Sequence, residues 1–239
     1  MKKVIPENNV PENTPQKNAA QFAVVESYKM IRTNLLFLLS QSNEKSITVS
    51  SSVAGEGKST SAINIAVAFS QLGCRVLLID ADMRKPSVHK KLRLSNEKGL
   101  SSILVGFSQL EESVNTINPN FDVITAGPTP PNPSELLGSD QMTTLLDRLE
   151  SIYDYIIIDT PPINIVPDAL VVAPNTSGIV FVVQDFITPH GQFQKALNSI
   201  EFAGVRMLGV ILNGSSGGST KKYRYRYRYR YGSYNYNYK

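Results

Sequence analysis

The sequence contains a single cysteine, only two histidines and no long uncharged apolar run. Cys74 cannot form an internal disulfide, which suits a reducing compartment. His89 and His190 are isolated in polar surroundings, so we expect surface residues and no metal cluster. The best candidate for a membrane span, LLFLL, is too short, and the N-terminus lacks the apolar core of a secretion signal. These absences predict a cytoplasmic protein that reaches a membrane only through a partner.

Acidic residues are missing from the C-terminal end of the chain. Residues 221–239, KKYRYRYRYRYGSYNYNYK, contain seven Lys and Arg residues and no Asp or Glu. The other 220 residues hold 17 basic and 20 acidic side chains, so the body carries a net charge of −3 although the whole chain carries +4. A mildly acidic body argues against a basic nucleic-acid groove across the fold, and no nucleic-acid partner is expected.

Strands and helices alternate along the body of the chain. Most of the predicted strands have apolar residues on both faces, as in a buried parallel sheet, and apolar residues recur at helical spacing between them. The predicted strands are residues 46–51, 75–80, 121–127, 155–160, 178–184 and 207–213; the predicted helices are 19–40, 60–72, 101–105, 139–152 and 191–204. The Pro-rich segment GPTPPNPSELL, residues 127–137, is predicted to be a loop. This alternation predicts an α/β fold with a doubly wound, mostly parallel sheet flanked by helices.

Composition divides the chain into three regions. Residues 1–18 are rich in Pro, Asn, Glu and Lys and predict a disordered lead. Residues 19–214 predict one domain. Residues 215–239 predict a flexible tail rich in Tyr and Arg, because this segment has no apolar residues beyond its tyrosine rings with which to build a core.

The segment SSVAGEGKST, residues 51–60, follows a predicted strand and opens a helix. Its glycines allow backbone N–H groups to converge on an anion, and the helix N-terminus adds partial positive charge. Lys58 would reach the β- and γ-phosphates, and the Ser59 hydroxyl would bind Mg²⁺. Ser52 occupies the place of the usual first glycine, and an incidental Lys-Ser in a strand-to-helix turn is the less favoured alternative. The residues expected to bind ATP are Gly55, Glu56, Gly57, Lys58, Ser59 and Thr60.

Three carboxylates follow two apolar strands. Asp80 and Asp82 end VLLIDAD, and Asp159 ends YIIID. The carboxyl ends of parallel strands open into the crevice where such sheets bind ligands. Any one of these aspartates alone is better explained as a helix cap or turn former. Together with the lysine loop they predict a nucleoside triphosphate–Mg²⁺ site.

With these residues assembled, the chain resembles the bacterial tyrosine kinases (BY-kinases), in the form whose kinase and membrane activator are separate polypeptides. SSVAGEGKST resembles their Walker A motif, VLLIDADMRKP their Walker A′ motif and YIIIDTPP their Walker B motif, and the resemblance places the domain among P-loop NTPases. GPTPPNPSELL and the Tyr-rich end also match. Partition and cell-division ATPases of the same superfamily place a signature lysine where this chain has Val53.

The resemblance implies roles for the site residues. Lys58 contacts the phosphates as a catalytic residue, Ser59 ligates Mg²⁺, and Asp82 and Asp159 support the metal. Asp80 is the favoured acceptor of the tyrosine proton, although the division of roles between Asp80 and Asp82 stays open in the sequence. Asn213, at the end of the last strand, would contact adenine or form a turn.

The resemblance also implies a homo-oligomeric ring assembled through an E-x₂-R-x₂-R motif on the first helix. That motif is Glu26, Lys29 and Arg32 here, and Lys29 lacks the bidentate fork of an arginine. From the residues alone, a solvated helix face with an i,i+3 ion pair is the alternative.

The terminal tyrosines are the implied acceptors. The family phosphorylates them in trans, under an activating transmembrane polysaccharide co-polymerase and a phosphotyrosine phosphatase, and thereby regulates capsular or exopolysaccharide synthesis and export. We expect an acidic A′ site to attract the basic tail. The tyrosines are Tyr223, Tyr225, Tyr227, Tyr229, Tyr231, Tyr234, Tyr236 and Tyr238.

Two other functions remain open at this point. One is a partition-type ATPase, against which Val53 argues. The other is a nucleic-acid-binding ATPase, because Arg interleaved with Tyr suits stacking on single strands. A merely solubilising tail on an ordinary ATPase is the remaining alternative.

Overall fold

Seven strands form one sheet in the computed structural model, which describes residues 15–40, 42 and 44–214. The strands are β1 (Ser46–Ser51), β2 (Val76–Asp80), β3 (Val114–Asn118), β4 (Phe121–Ile124), β5 (Tyr155–Asp159), β6 (Ile179–Gln184) and β7 (Met207–Asn213). Their order across the sheet is β3-β4-β2-β5-β1-β6-β7. All neighbours are parallel except β3 and β4. The predicted doubly wound, mostly parallel α/β sheet is therefore confirmed.

Helices cover both faces of this sheet. They are α1 (Pro15–Leu39), α2 (Lys58–Ser70), α3 (Val88–Leu92), α4 (Leu100–Leu104), α5 (Leu110–Ser113), α6 (Pro133–Leu137), α7 (Asp140–Glu150), α8 (Asp168–Val172) and α9 (His190–Phe202), with a 3₁₀ turn at Ala173–Asn175. On one face α1 and α2 pack on the central strands through residues such as Leu35, Ile65 and Phe69. On the other face α4, α6 and α7 supply Leu100, Leu137 and Leu146.

The central strands β2 and β5 are apolar up to their terminal aspartates because they are buried on both faces, whereas β1, SITVSS, buries four hydroxyl side chains. Every residue of β2 is buried, and the burial of β1 is likewise complete. Parallel strands covered on both faces read as continuous apolar runs, which explains why these strands were predictable from sequence. Their carboxyl ends lie side by side, so the segments that follow β1, β2 and β5 meet at one edge of the sheet.

Several elements differ from the sequence prediction. Helix α1 begins at Pro15 rather than Ala19, so the predicted lead overlaps it, while residues 1–14 lie outside the described part of the chain. Helix α2 begins at Lys58 rather than Thr60. The Pro-rich segment is not entirely a loop, because α6 begins at Pro133, whose missing N–H costs nothing in the first turn of a helix.

The elements absent from the prediction are short. Besides α6, they are β3, α3, α5 and α8, and each has only four or five residues. Elements of that length have almost no periodic signal and depend on tertiary contacts for stability. The exposed, polar β3 is an edge strand, which its sequence VNTIN does not announce.

Among the described residues, no helix is both long enough and apolar enough to cross a membrane. His190 is exposed as predicted, whereas His89 is half-buried, with its Nδ1 atom enclosed and without a hydrogen-bond partner. The tail, residues 215–239, lies outside the described residues.

Candidate active site

The segment between β1 and α2 turns sharply at two glycines. Gly55 and Gly57 both have φ of +91°, a left-handed conformation that glycine adopts without a Cβ clash. Gly57 caps α2, so the first-turn N–H groups of this helix open toward the loop. A Cβ atom at Gly57 would lie 2.1 Å from Nδ2 of Asn213, so this glycine is also required by close packing. The loop thus has the backbone shape of an anion cradle.

Glu56 braces this loop from inside. Its side chain is buried and accepts hydrogen bonds from the backbone N–H of Val53 at 2.8 Å and from the hydroxyl of Thr188. Its carbonyl accepts a hydrogen bond from Asn213 Nδ2 at 3.0 Å. Sequence reasoning placed Glu56 among the ATP-contacting residues, but its carboxylate faces the protein. Asn213 likewise holds the loop, a role the sequence did not indicate.

Lys58 lies between two carboxylates. Its Nζ atom is 2.8 Å from Asp82 Oδ2 and 3.6 Å from Asp159 Oδ1, and it also lies 3.3 Å from the Ser59 hydroxyl. Burial lowers the pKa of Lys58, but the negative charges of Asp159 and Asp82 outweigh burial and hold that pKa above its ordinary value. The lysine is therefore a cation, and the sequence-predicted grouping of Lys58 with Asp82 and Asp159 is present in the structure.

Asp80 is fully buried and bound to the backbone. Its carboxylate accepts hydrogen bonds from the N–H groups of Asp82, Ser87 and Val88 at 3.1–3.2 Å. Burial, reinforced by the charge of the neighbouring Asp159 on β5, raises the pKa of Asp80 to about 7. Asp80 therefore fixes the turn after β2, and it does not line the adjacent cavity.

Asp159 has two buried carboxylate oxygens that no hydrogen bond satisfies. Burial raises the pKa of Asp159, and Lys58 opposes that rise. The ion pair with Lys58 at 3.6 Å leaves these oxygens without a hydrogen bond, and because buried polar atoms are normally hydrogen-bonded, this carboxylate fits a bound cation or its water ligands.

A preformed metal cage is absent from the part of the chain that the structure describes, where no three His, Cys, Asp or Glu side chains converge on one point. The oxygens of Asp82, Asp159 and Ser59 surround Lys58, and such oxygens fit Mg²⁺, which uses one or two protein ligands together with phosphate oxygens and waters. Ser59, Asp82 and Asp159 are the residues that would hold it.

A cavity of about 450 Å³ opens above these groups. It is lined by the phosphate loop, the turn after β2 and the loop after β5, the last through Pro161, Pro162, Ile165 and Val166. Asp82 is its only lining carboxylate among the described residues, against four basic side chains: Lys58, Arg84, Lys85 and Lys91. The expectation of an acidic mouth is wrong, because Asp80 and Asp159 are buried beneath the floor.

Two lysines at the rim of the cavity, Lys85 and Lys91, have little negative charge close by to neutralise their own charge. Lys91 donates a hydrogen bond from Nζ to the hydroxyl of Thr60 at 3.1 Å, so Thr60 takes part in the rim. Within the described residues, Lys85 Nζ has no hydrogen-bond or ion-pair partner. An exposed basic mouth suits polyphosphate and would repel a basic peptide until an anion is bound.

Sequence reasoning missed Asp168 and Ser134, which hold Arg84. Arg84 donates two hydrogen bonds to Asp168, Nε to Oδ2 at 3.0 Å and Nη2 to Oδ1 at 3.2 Å. Ser134 Oγ lies 2.9 Å from Arg84 Nη2 and 2.6 Å from Asp168 Oδ1. Asp168 and Ser134 are far from Arg84 in sequence. The match of GPTPPNPSELL to the family pointed to the segment that contains Ser134, and no sequence signal pointed to Asp168.

Glu26, Lys29 and Arg32, the predicted interface residues on α1, already make contacts within the chain. Lys29 Nζ pairs with Glu26 Oε1 at 2.7 Å, and both side chains are close to half exposed. Arg32 donates from Nη1 to the carbonyl of Ala68 at 2.8 Å and so attaches α1 to α2. The i,i+3 pair predicted from the residues is present. All eight predicted acceptor tyrosines lie outside the described residues.

A glycine-bent loop at a helix N-terminus, a lysine in its first turn and carboxylates on adjoining strand ends define a P-loop nucleotide-binding fold. Comparison with known proteins narrows this class. A family of AAA domains matches residues 44–201. The tyrosine-protein kinase YwqD of Bacillus subtilis is 44% identical over 190 residues, covering 79% of this chain and 80% of that protein. The putative tyrosine-protein kinase CapB of Staphylococcus aureus is 39% identical over 191 residues, covering 80% and 84%.

Solved structures agree with the sequence comparison. The kinase domain of the Escherichia coli tyrosine kinase ETK superposes with a TM-score of 0.78 at 33% identity, covering 90% of this chain and 80% of that one. A plasmid partition protein from Borrelia burgdorferi, at 22% identity and a TM-score of 0.58, shares the fold alone. The chain belongs to the bacterial tyrosine kinases, and it is a tyrosine-protein kinase rather than a partition-type ATPase.

Proposed function

We propose that this kinase transfers the γ-phosphoryl group of ATP, with Mg²⁺, to the tyrosines of its own C-terminal tail in trans. The observation that carries the proposal is the position of Lys58, at the first turn of α2 and within 4 Å of Asp82 and Asp159. A phosphoryl-transfer site needs a cation for the phosphates and carboxylates for the metal, held so that little rearrangement is needed.

The loop residues and metal-binding residues act together in this proposal. The backbone N–H groups from Gly55 to Thr60 cradle the β- and γ-phosphates, and Lys58 turns from Asp82 to the phosphates when they arrive. Ser59, Asp82 and Asp159 would hold Mg²⁺, and the bound ion would neutralise charge on the transferred group. Because Asp82 loses its lysine in that step, it becomes available to the metal.

The family resemblance favours Asp80 as the acceptor of the phenolic proton. This role requires the turn after β2 to open, because the Asp80 carboxylate is buried and does not line the cavity. Its pKa of about 7 suits proton transfer near neutral pH, whereas a free phenol ionises near pH 10. Asp82 lines the cavity and is the competing candidate. The choice has a direct test: if Asp80 accepts the proton, Asp80→Asn should remove the ascending limb of the pH profile of kcat and leave the Mg²⁺ requirement unchanged. If Asp82→Asn removes that limb instead, the roles are reversed.

The tail supplies the acceptor and a charge switch. Each phosphotyrosine adds about −1.5 to −2 charges at pH 7, enough in total to overturn the tail's charge of +7. Phosphorylation would therefore loosen a homo-oligomeric ring held in part by Glu26, Lys29 and Arg32. A transmembrane polysaccharide co-polymerase would activate the cytoplasmic kinase at the inner membrane face, a phosphotyrosine phosphatase would reset it, and the cycle would regulate capsular or exopolysaccharide export.

The central experiment tests separately whether Lys58 is needed for catalysis and whether the tail is the phosphate acceptor. Purified chain is incubated with ATP and Mg²⁺, and phosphotyrosine is mapped by mass spectrometry in the wild type, in Lys58→Met and in a chain truncated after Thr220. We expect tail labelling in the wild type, labelling of Lys58→Met only when active enzyme is added, and none in the truncation despite retained ATP binding. Persistent phosphotyrosine in the truncated chain would refute the tail as acceptor.

A further inference from the structure

The strongest feature left unexplained is the ion pair between Arg84 and Asp168. Arg84 lies at the cavity, where an arginine in a phosphotransferase would ordinarily be expected to bind phosphate. Its guanidinium instead makes a bidentate contact with a carboxylate that is fully buried. Withdrawing Arg84 toward a phosphate would leave Asp168 buried without its cation, which is unfavourable in a protein interior. The arginine is therefore committed to the protein.

This contact joins the two walls of the cavity. Arg84 follows Asp82 by two residues, and the turn between them is fixed by a hydrogen bond from the Lys85 N–H to Asp82 Oδ1 at 3.0 Å. Asp168 begins α8, directly after the loop that follows Asp159. This loop contributes Pro161, Pro162, Ile165 and Val166 to the opposite wall. Fixing Arg84 on Asp168 therefore fixes the distance between Asp82 and that loop.

A third segment is held by the same group. Ser134 in α6 donates its hydroxyl to Asp168 and accepts from Arg84, so the Pro-rich segment is anchored behind the pair. The oxygens and N–H groups of this triad satisfy one another in a planar fork that a lysine ammonium cannot reproduce.

We propose that Arg84, Asp168 and Ser134 form a positioning triad that sets the wall opposite the phosphate loop, and that this wall orients the acceptor tyrosine rather than the nucleotide. The inference rests on the proposed transfer of a phosphoryl group to tyrosine. The nucleotide cradle consists of residues 55–60, which the triad does not contact. Misplacing the acceptor reduces the rate of transfer while leaving nucleotide binding intact.

The test uses the full chain with Arg84→Lys, Asp168→Asn and Ser134→Ala, and with Lys58→Met protein as the acceptor. We expect Arg84→Lys and Asp168→Asn to lower kcat by about 10- to 100-fold, with the Kd and KM for ATP changed by less than about 2-fold. Ser134→Ala should have a smaller effect in the same direction. The double variant Arg84→Lys/Asp168→Asn should be no slower than the worse single variant, because both changes break one unit.

A second arginine–carboxylate ion pair of this protein provides a matched control for the triad. Arg148 and Glu111 form an exposed ion pair, with 2.6 Å between Nη2 and Oε1, and neither residue lines the cavity. Arg148→Lys and Glu111→Gln should therefore leave kcat unchanged. If Arg84→Lys weakens ATP binding while Asp168→Asn does not, Arg84 binds phosphate and the inference is wrong. If kcat and ATP affinity fall together with the melting temperature, the triad is merely structural, which also overturns it. A wild type that labels no tyrosine would refute the proposed function itself.

Discussion

Lys58 and Asp82 form a nearly buried ion pair, with Nζ 2.8 Å from Oδ2 and side-chain exposures of 11% and 6%. This pair keeps Lys58 charged and in place, and in the proposed mechanism a polyphosphate would take over the role of the carboxylate. Binding of nucleotide would then be an exchange of anionic partners around one cation.

Replacing Lys58 with Met should cost stability as well as activity. Removing one partner of a buried ion pair destabilises a protein by about 3–5 kcal/mol, because the remaining charge is buried and unpaired. Without Lys58 the pKa of Asp159, already raised by burial, rises further. A folded-state pKa above the unfolded one means that stability falls as pH rises, so the deficit should be smaller at pH 5 than at pH 8. Urea unfolding at both pH values measures it, and a deficit that is larger at pH 5 would contradict this reasoning.

Asp80 should make the metal-free, nucleotide-free protein less stable as pH rises from about 4 to about 7. Burial raises its folded pKa to about 7, above the unfolded value of about 3.9, so only the native state holds the proton in that window. The expected slope for one such group is at most about 1.4 kcal/mol per pH unit. Asp80→Asn should reduce the slope, and Asp147→Asn serves as the exposed carboxylate control. Equal slopes in wild type and Asp80→Asn would show that Asp80 does not titrate in this range.

Alanine substitutions at Gly57 and Gly55 should distinguish the cost of backbone strain from the cost of a steric clash of the new Cβ atom. Both have φ of +91°, so alanine at either position should cost roughly 1–2 kcal/mol of strain. Only at Gly57 would the new methyl group meet Asn213 Nδ2, whereas nothing lies within 4 Å at Gly55. We expect Gly57→Ala to be clearly the more destabilising by thermal unfolding and to abolish ATP binding.

A second substitution tests the clash between a Cβ atom at position 57 and Asn213. In the background of Asn213→Ala, the extra cost of Gly57→Ala over Gly55→Ala should shrink, since the clashing amide is gone. A cost that stays the same would mean that Asn213 moves aside freely and that backbone strain alone accounts for the effect.

Substitutions at Arg32 and Lys29 should distinguish an effect on folding stability from an effect on oligomer assembly. The Lys29–Glu26 pair is solvent-exposed, so Lys29→Ala should change the unfolding free energy by only about 0.2–0.5 kcal/mol. Arg32→Ala removes a charged hydrogen bond between α1 and α2 and should cost more, about 1–2 kcal/mol. Chemical unfolding measures both, and analytical ultracentrifugation shows whether Lys29→Ala alters oligomer size. A large folding effect of Lys29→Ala would contradict the exposed-pair assignment.

Prediction from sequence succeeded where one residue's environment is set by its near neighbours. Strands β2 and β5 are apolar runs because both of their faces are buried, and the phosphate loop follows from glycines and a lysine at fixed spacing. The same local logic placed Asp80, Asp82 and Asp159 at one edge of the sheet. It failed for β3 and α3, which are too short to carry a periodic signal.

Charge at the cavity was misjudged for a similar reason. Counting Asp80, Asp82 and Asp159 as facing the ligand gave an acidic mouth, whereas two of them lie beneath the floor and the rim carries Lys85 and Lys91. Sequence gives the number of charges near a site, but burial decides which of them a ligand meets.

The sequence by itself determined the class of fold and the nucleotide loop, because apolar periodicity and glycine spacing act over a few residues. Tertiary structure alone decided that Glu56 braces the loop, that Asn213 packs on Gly57, and that Arg84 is bound by Asp168 and Ser134. Those partners are separated by 50 to 157 residues along the chain, and only the packing of the sheet and its helices brings them within hydrogen-bonding distance.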